Sequence, residues 1–166
     1  MTALTRAVRT DDLPALLAMN NDAVPAVNHL DEEGLGKLVA LSHRAVAVVH
    51  EGDPATPVGF ALAMLPGAAY ASENYRWFEA RSGSFLYVDR IVVGGRARGQ
   101  GLGRVLYDDL FAVARAARCA EMFCEVNLEP PNPGSLVFHS RLGFEQLDTQ
   151  QTKGGSVVVS LLGRAV

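Results

Sequence analysis

The chain has 166 residues, 49% of them hydrophobic and 20% charged, and a net charge of −3. That length builds one domain with a sizeable core, and residues 1–166 are expected to form it. The acid excess excludes a general nucleic-acid binder, whose footprint is a basic face. The even composition excludes a low-complexity chain.

In chain order, Ala3–Val8 reads as a short strand. Thr10 is expected to cap a helix whose positive first turn takes Asp11 and Asp12, with Pro14 early enough to be tolerated and Leu13, Leu16 and Leu17 as the apolar face. Asp31–Ser42 is a second, weaker helix, since Gly34 and Gly36 lower its propensity. Arg44–His50 and Thr56–Leu65 read as adjacent strands around a turn at Glu51–Ala55. The segment Gly67–Gly83 carries no clear pattern and is expected to be a loop; the apolar run Ser84–Val93 is the next strand. A helix follows, with Leu102, Leu106, Leu110, Val113 and Ala117 on one stripe. Ala120–Asn127 is a strand with Met122, Cys124 and Val126 on one face and Glu125 and Asn127 on the other. Asn132–Phe144 is a short helix with Asn132 as its cap, Pro133 at the first position and Gly143 past the end. Glu145–Thr152 and Ser156–Gly163 are closing strands around Lys153–Gly155. Runs of strands interleaved with a few helices predict an α+β domain with a mixed, mostly antiparallel sheet of about six to seven strands and helices on both faces.

The apolar window Val58–Ala71 contains Pro66 and is too short to span a bilayer. The first residues turn acidic before any apolar run develops, so neither a membrane span nor a signal peptide is expected. Cys119 and Cys124 fit no common metal or redox spacing, which leaves no metal site and predicts reduced thiols in a cytoplasmic protein.

From Gly94 to Arg104, after the strand ending at Val93 and across the opening of the helix at Leu102, the chain places five glycines and three arginines, Arg96, Arg98 and Arg104. Strand, glycine turn, helix is an arrangement that binds phosphate. Amides at a helix N-terminus lack partners, the helix dipole is positive there, and glycines keep Cβ atoms out of the way. The dinucleotide fingerprint fails, because the sixth place counted from Gly99 is Arg104, and a Walker loop fails for want of Lys followed by Ser or Thr. What stands there is Arg98-Gly99-Gln100-Gly101-Leu102-Gly103.

This R-x-x-G-x-G segment, after an I-V-V strand and opening a helix, resembles the acyl-CoA loop of the GNAT (Gcn5-related N-acetyltransferase) superfamily. The segment N-x-x-S-L-V-F-H-x-x-L-G-F (Asn132–Phe144) resembles that family's second signature, and the order of elements agrees along nearly the whole chain. The resemblance implies a GNAT fold with two splayed central strands between which the pantetheine arm of acetyl-CoA inserts. It implies that the main chain around Ile91, Val92 and Val93 bonds the arm. Amides from Arg98 to Arg104 hold the diphosphate, with Arg98 and Arg104 adding charge. Asn132, Ser135 and Phe138 border the arm, and Asn132 serves either as cap, as coenzyme ligand, or as both.

The implied reaction is direct transfer of an acetyl group to an amine, small or protein-borne. Such an amine, with a pKa near 10, is about one part in a thousand neutral at pH 7, so a proton must be accepted. Strand amides would stabilise the developing oxyanion. Where the family often has a tyrosine acid, this chain has His139, which either donates a proton to the thiolate or simply packs. The base is Glu125, Asp89 or a water chain. Tyr87 and Asp89 are expected on one strand face together with Ile91 and Val93. Acceptor contacts are expected from Met19–Leu30, with Asn20, Asn21 and His29, and from Ser72–Ala80, with Tyr75 and Trp77. These aromatics line a pocket, form a satellite core, or join two copies as a homodimer. The rival function is a CoA-binding protein without turnover, favoured by the tyrosine-to-histidine departure.

Overall fold

Alternating apolar positions give seven strands and helical spacing gives five α-helices, in a computed structural model that describes residues 2–166. The strands are β1 (Ala3–Ala7), β2 (Arg44–His50), β3 (Asp53–Met64), β4 (Phe85–Val93), β5 (Glu121–Glu129), β6 (Glu145–Thr152) and β7 (Val157–Ala165). The helices are α1 (Leu13–Asp22), α2 (Glu32–Leu41), α3 (Glu73–Arg81), α4 (Leu102–Ala116) and α5 (Pro133–Arg141). They form one sheet in the order β1-β2-β3-β4-β5-β7-β6, antiparallel throughout except for the parallel pair β4–β5. The expected α+β class and mixed, mostly antiparallel sheet are thus observed.

Each sheet face buries its own core. On one face the apolar stripe of α4, with Leu106 and Leu110, covers Val46, Val48, Leu86, Val88, Met122 and Cys124, and Phe144 after α5 joins it. On the other, Leu16 of α1, Leu35 of α2 and Tyr75 and Phe78 of α3 cover Phe60, Leu62, Phe85, Tyr87 and Phe123. Phe78 stacks on Phe123 with ring centroids 4.6 Å apart.

Several local expectations need correction. Thr10 does not cap α1: Thr10–Asp12 is a 3-10 turn entered from Arg9, and α1 begins at Leu13. Asp12 is instead drawn into an ion pair with Arg6 at 2.7 Å and accepts from the Arg9 amide. Strand β3 starts at Asp53, so the end of the expected turn belongs to the strand, although only Asp53 of it has a partner, His50. The patternless segment after Pro66 contains α3, capped by Ser72, whose hydroxyl accepts from the Tyr75 amide. Its buried Tyr75 and Phe78 lie three apart, a helical spacing obscured by the charges around them.

The correction that matters most for the site lies in β4. Leu62 pairs with Arg90 but Ala63 pairs with Val88, so Asp89 is an extra residue, a β-bulge. Before it, Tyr87 faces the α3 side; after it, Val92 takes that face while Ile91 and Val93 face the α4 side. Tyr87 therefore does not share a face with Ile91 and Val93, because a one-residue bulge inverts the alternation.

Candidate active site

Parallel pairing between β4 and β5 covers only Phe85–Glu121, Leu86–Met122 and Tyr87–Phe123. Beyond Tyr87 the two strands separate: β4 continues to Val93 bonded to β3, and β5 continues to Glu129 bonded to β7. A bulge bends its strand and increases its twist, and Asp89 sits where the separation begins. The facing edges leave a V-shaped gap inside the sheet.

A cavity of about 960 Å³ opens from this gap along the glycine turn. One wall is Ile91, Val92 and Val93 with Arg98, Gly99, Gly101, Leu102, Gly103 and Arg104; the other holds Asn132, Ser135, Phe138 and His139. Gly99 and Gly101 have φ of 78° and 75°, the left-handed region that L side chains resist, and Gly101 delivers the chain directly into α4. Among the described residues the amides from Gly99 to Gly103 make no main-chain bond, whereas that of Arg104 donates to Gly101 O at 3.1 Å. The open donor set thus ends one residue before the expected Arg104. A Cβ on Gly103 would meet the Phe138 ring at 2.9 Å, so glycine there lets α5 close over the start of α4. Gln100 is exposed and lies outside the cavity wall. Asn132 caps nothing with its side chain, contrary to one expectation, and lines the cavity instead.

A second cavity, about 520 Å³, continues through the gap to the opposite side. The two share Ile91, Asn127, Asn132, Ser135 and His139, which marks where they meet. Its polar lining comes from Tyr70, Glu73, Asn74, Asp89, Arg90 and Glu125. Lys153 N donates to Glu73 Oε2 at 3.1 Å and Gln150 Nε2 to Asn74 Oδ1 at 3.0 Å, so the β6–β7 turn is fastened to the start of α3. Opposite, Asn127 Nδ2 donates to Pro25 O at 2.8 Å and holds the α1–α2 loop against β5.

The two candidate carboxylates have different surroundings. Both oxygens of Asp89 are engaged: Tyr70 Oη donates to Oδ1 at 2.6 Å and Arg90 Nε to Oδ2 at 2.8 Å. Arg90 is itself held by Asn20 Oδ1 at 2.8 Å and Asn28 Oδ1 at 2.9 Å. Glu125 has no cationic partner among the described ion pairs. Tyr87 Oη lies 2.8 Å from both of its oxygens and shares its single hydrogen between them. Its open edge faces the cavity. Burial first, and then the charge of Asp89, push its carboxyl up to about 8, against the pull of the Tyr87 and Asn74 bonds. Burial first, and then the charge of Glu125, raise Tyr87 far above the ordinary phenol, so Tyr87 remains a donor.

His139 is buried, with Nδ1 at 2.8 Å from Ser135 O and Nε2 at 2.7 Å from Tyr107 Oη. A carbonyl only accepts, so Nδ1 carries the hydrogen and Nε2 accepts from Tyr107. Desolvation pushes the imidazole below its ordinary pKa. The ring is neutral near pH 7 and aims no N–H at the cavities it borders.

The expected acceptor residues fare differently. Tyr75 is fully buried, donates to Leu65 O at 2.7 Å and belongs to the core, because α3 turns it inward. Trp77 packs on that core edge to face with Phe78, ring centroids 5.2 Å apart. Asn20 is buried and orients Arg90; Asn21 ties the loop by donating to Leu30 O at 3.0 Å. His29 is exposed outside both cavity walls. Asn28 and Asn74 lie within the expected acceptor segments without having been singled out, and Tyr70 and Arg90 lie outside them. Only Arg90 had a signal, a second charge inside the apolar run of β4.

The family model for the acetyltransferase (GNAT) family matches residues 16–144, and the chain belongs to that family. Its members use acetyl-CoA and acetylate amines. Among solved structures, Ard1 from Thermoplasma volcanium superposes with a TM-score of 0.80 at 15% identity, covering 100% of this chain and 99% of that one. The ribosomal-protein-alanine N-acetyltransferase from Brucella melitensis gives 0.73 at 25% identity over 98% and 99%. The Salmonella typhimurium protein yncA, solved with acetyl-CoA, gives 0.73 at 19% identity over 99% and 94%. No curated protein sequence matches significantly. Among the described residues no helix is long and apolar enough to cross a membrane.

Proposed function

We propose that the chain moves an acetyl group from acetyl-CoA to an amine by direct attack in a ternary complex, with Glu125 accepting the amine's proton. The observation that carries this reading is a carboxyl poised near neutrality, facing the smaller cavity, on the strand that also borders the larger one. Asn127, two residues on and on the same strand face, is roughly 7 Å away by strand geometry and belongs to both cavities.

The larger cavity fits the coenzyme: a strand edge around Ile91–Val93, free amides at Gly99–Gly103, and the Asn132, Ser135 and Phe138 wall supported by the Gly103 contact. When bound, acetyl-CoA supplies the acetyl group as a reactive thioester. Glu125 with a pKa of about 8 is partly ionised at pH 7 and takes a proton at an oxygen that Tyr87 orients. A base whose pKa lies near the working pH balances ionisation against driving force. Asp89 is not the base in this reading, since both its oxygens are bonded; with Arg90 it fixes the floor. His139 walls the junction and is not the proton donor that its position first suggested.

Activity needs ionised Glu125, so the rate rises with pH and levels off above about 8. The test is steady-state release of free CoA from acetyl-CoA with a panel of small amines and peptides bearing an N-terminal alanine. The peptides enter because of the likeness to the ribosomal-protein-alanine enzyme. Turnover with that pH profile supports the proposal. The neutral, tied-down His139 favours the rival, a binder of the coenzyme without turnover. Tight binding with no CoA release from any amine would establish that rival instead.

A further inference from the structure

The smaller cavity holds two cations, Arg90 and Lys153, for which proton transfer from an amine has no use. An amine reaches it almost wholly as ammonium at neutral pH. Positive charge beside its path repels it, unless the same molecule also carries an anion. Arg90 is answered in place: it is buried, Asp89 takes its Nε–H, and Asn20 and Asn28 each accept from one of its other nitrogens. Lys153 is not answered. It enters none of the ion pairs among the described residues.

Lys153 also sits where a side chain fits badly. It opens a turn of three successive left-handed residues, Lys153 at φ 53°, Gly154 at 68° and Gly155 at 91°, a region that L side chains resist. The turn is nevertheless held. Lys153 N donates to Glu73 Oε2 at 3.1 Å, and Ser156 Oγ donates to Lys153 O at 2.9 Å. Strain kept at the edge of a cavity points to a use for the side chain that bears it. Sheet register sets how far that side chain starts from Glu125. Glu125 pairs with Leu161 and Thr152 pairs with Val157, so four residues of β7, roughly 13 Å, separate the two registers. The lysine stem spans part of that distance, and an acceptor has to span the rest.

We propose that Lys153 binds a carboxylate of the acceptor, and that the acceptor is an amine whose carboxylate lies several bonds from its nitrogen. This names the substrate class of the transferase reading above and rests on it. The nitrogen is received at Glu125 and the carboxylate at Lys153, so the two ends of the cavity read opposite charges. Either an amino acid with an acidic side chain or a peptide with an acidic second residue supplies that chemistry. Glu73 is the competing group at the same end, but one of its oxygens is already taken by the Lys153 amide.

Steady-state release of CoA from acetyl-CoA by the full chain is compared within pairs of acceptors that differ in one carboxylate. The pairs are alanine with alaninamide, glutamic acid α-amide with glutamine amide, and alanyl-glutamate amide with alanyl-glutamine amide. In a longer pair the acid should win by about tenfold in kcat/KM at low salt, the scale of one charge-assisted bond at an exposed site. The preference shrinks as salt is added. If the glutamate pair carries it, the source is an amino acid; if the dipeptide pair does, a peptide. Lys153→Gln brings the ratio toward one, Lys153→Arg keeps most of it and Lys153→Glu inverts it. Lys153 is exposed, so all three variants should melt with the parent. Equal rates within every pair, a preference that survives Lys153→Gln, or one confined to alanine would overturn the assignment. So would faster turnover of alanyl-lysine amide than of alanyl-glutamine amide, which would give that end of the cavity to Glu73. If no amine releases CoA, the transferase reading itself falls, so the two failures are distinguishable.

Discussion

The two cavities that meet between β4 and β5 are built from different materials. The larger one uses main chain: strand edge, free amides and glycines whose missing side chains make room. The smaller one uses side chains from six stretches of sequence, several of them fastened together by Tyr70–Asp89, Arg90–Asn20, Glu73–Lys153 and Asn127–Pro25 contacts. A main-chain site is shaped by local geometry and tolerates change in most side chains. A side-chain site is shaped by long-range packing, and each member depends on the others. The first suits a ligand common to a whole family, the second an acceptor particular to one protein.

The sharpest break in this comparison is Glu125→Gln, which removes the proposed base and leaves the main-chain cavity alone. The expected loss in kcat/KM is about 10²- to 10³-fold, with the calorimetric Kd for CoA unchanged. Gly101→Val does the reverse. At a φ of 75° a β-branched residue is strained by about 1–2 kcal/mol. The Kd for CoA should rise by about tenfold, corresponding to that strain, while the pH midpoint of kcat stays near 8.

Smaller effects sharpen the account. Tyr87→Phe takes away a bond that favours ionised Glu125, so the midpoint of the kcat–pH profile should move to higher pH, lowering the rate at pH 7 roughly threefold, as expected for one hydrogen bond. A midpoint moving to lower pH would contradict the assignment of Glu125. His139→Phe should leave the shape of the profile from pH 6 to 9 unaltered. Its cost falls on stability, about 1–3 kcal/mol in thermal melts, because buried Tyr107 Oη loses its acceptor.

The same difference in materials explains what was legible in the sequence. The glycine turn was readable because positive-φ turns and helix starts are written locally, and so were α4, α5 and their order. The acceptor side was not. Tyr70 follows a Pro-Gly turn in a stretch with no periodicity, and nothing in that stretch says its hydroxyl will meet Asp89. Tyr75 and Trp77 could not be assigned between pocket, satellite core and dimer contact, because α3 hides its apolar positions among Glu73, Arg76, Glu79 and Arg81. The carboxylates could be named but not ranked, since the ranking depends on partners that are distant along the chain, Tyr70 for Asp89 and Tyr87 for Glu125. The bulge at Asp89 has no residue signature, so alternation counted through β4 placed Ile91 and Val93 on the wrong face.

That bulge has a consequence for the architecture as a whole. Were Asp89 in step with its neighbours, β4 and β5 could zip together to their tips, and the interior of the sheet would be sealed like fabric. One residue out of step keeps a seam unstitched in the middle of an otherwise continuous weave, where an incoming ligand can serve as the missing thread.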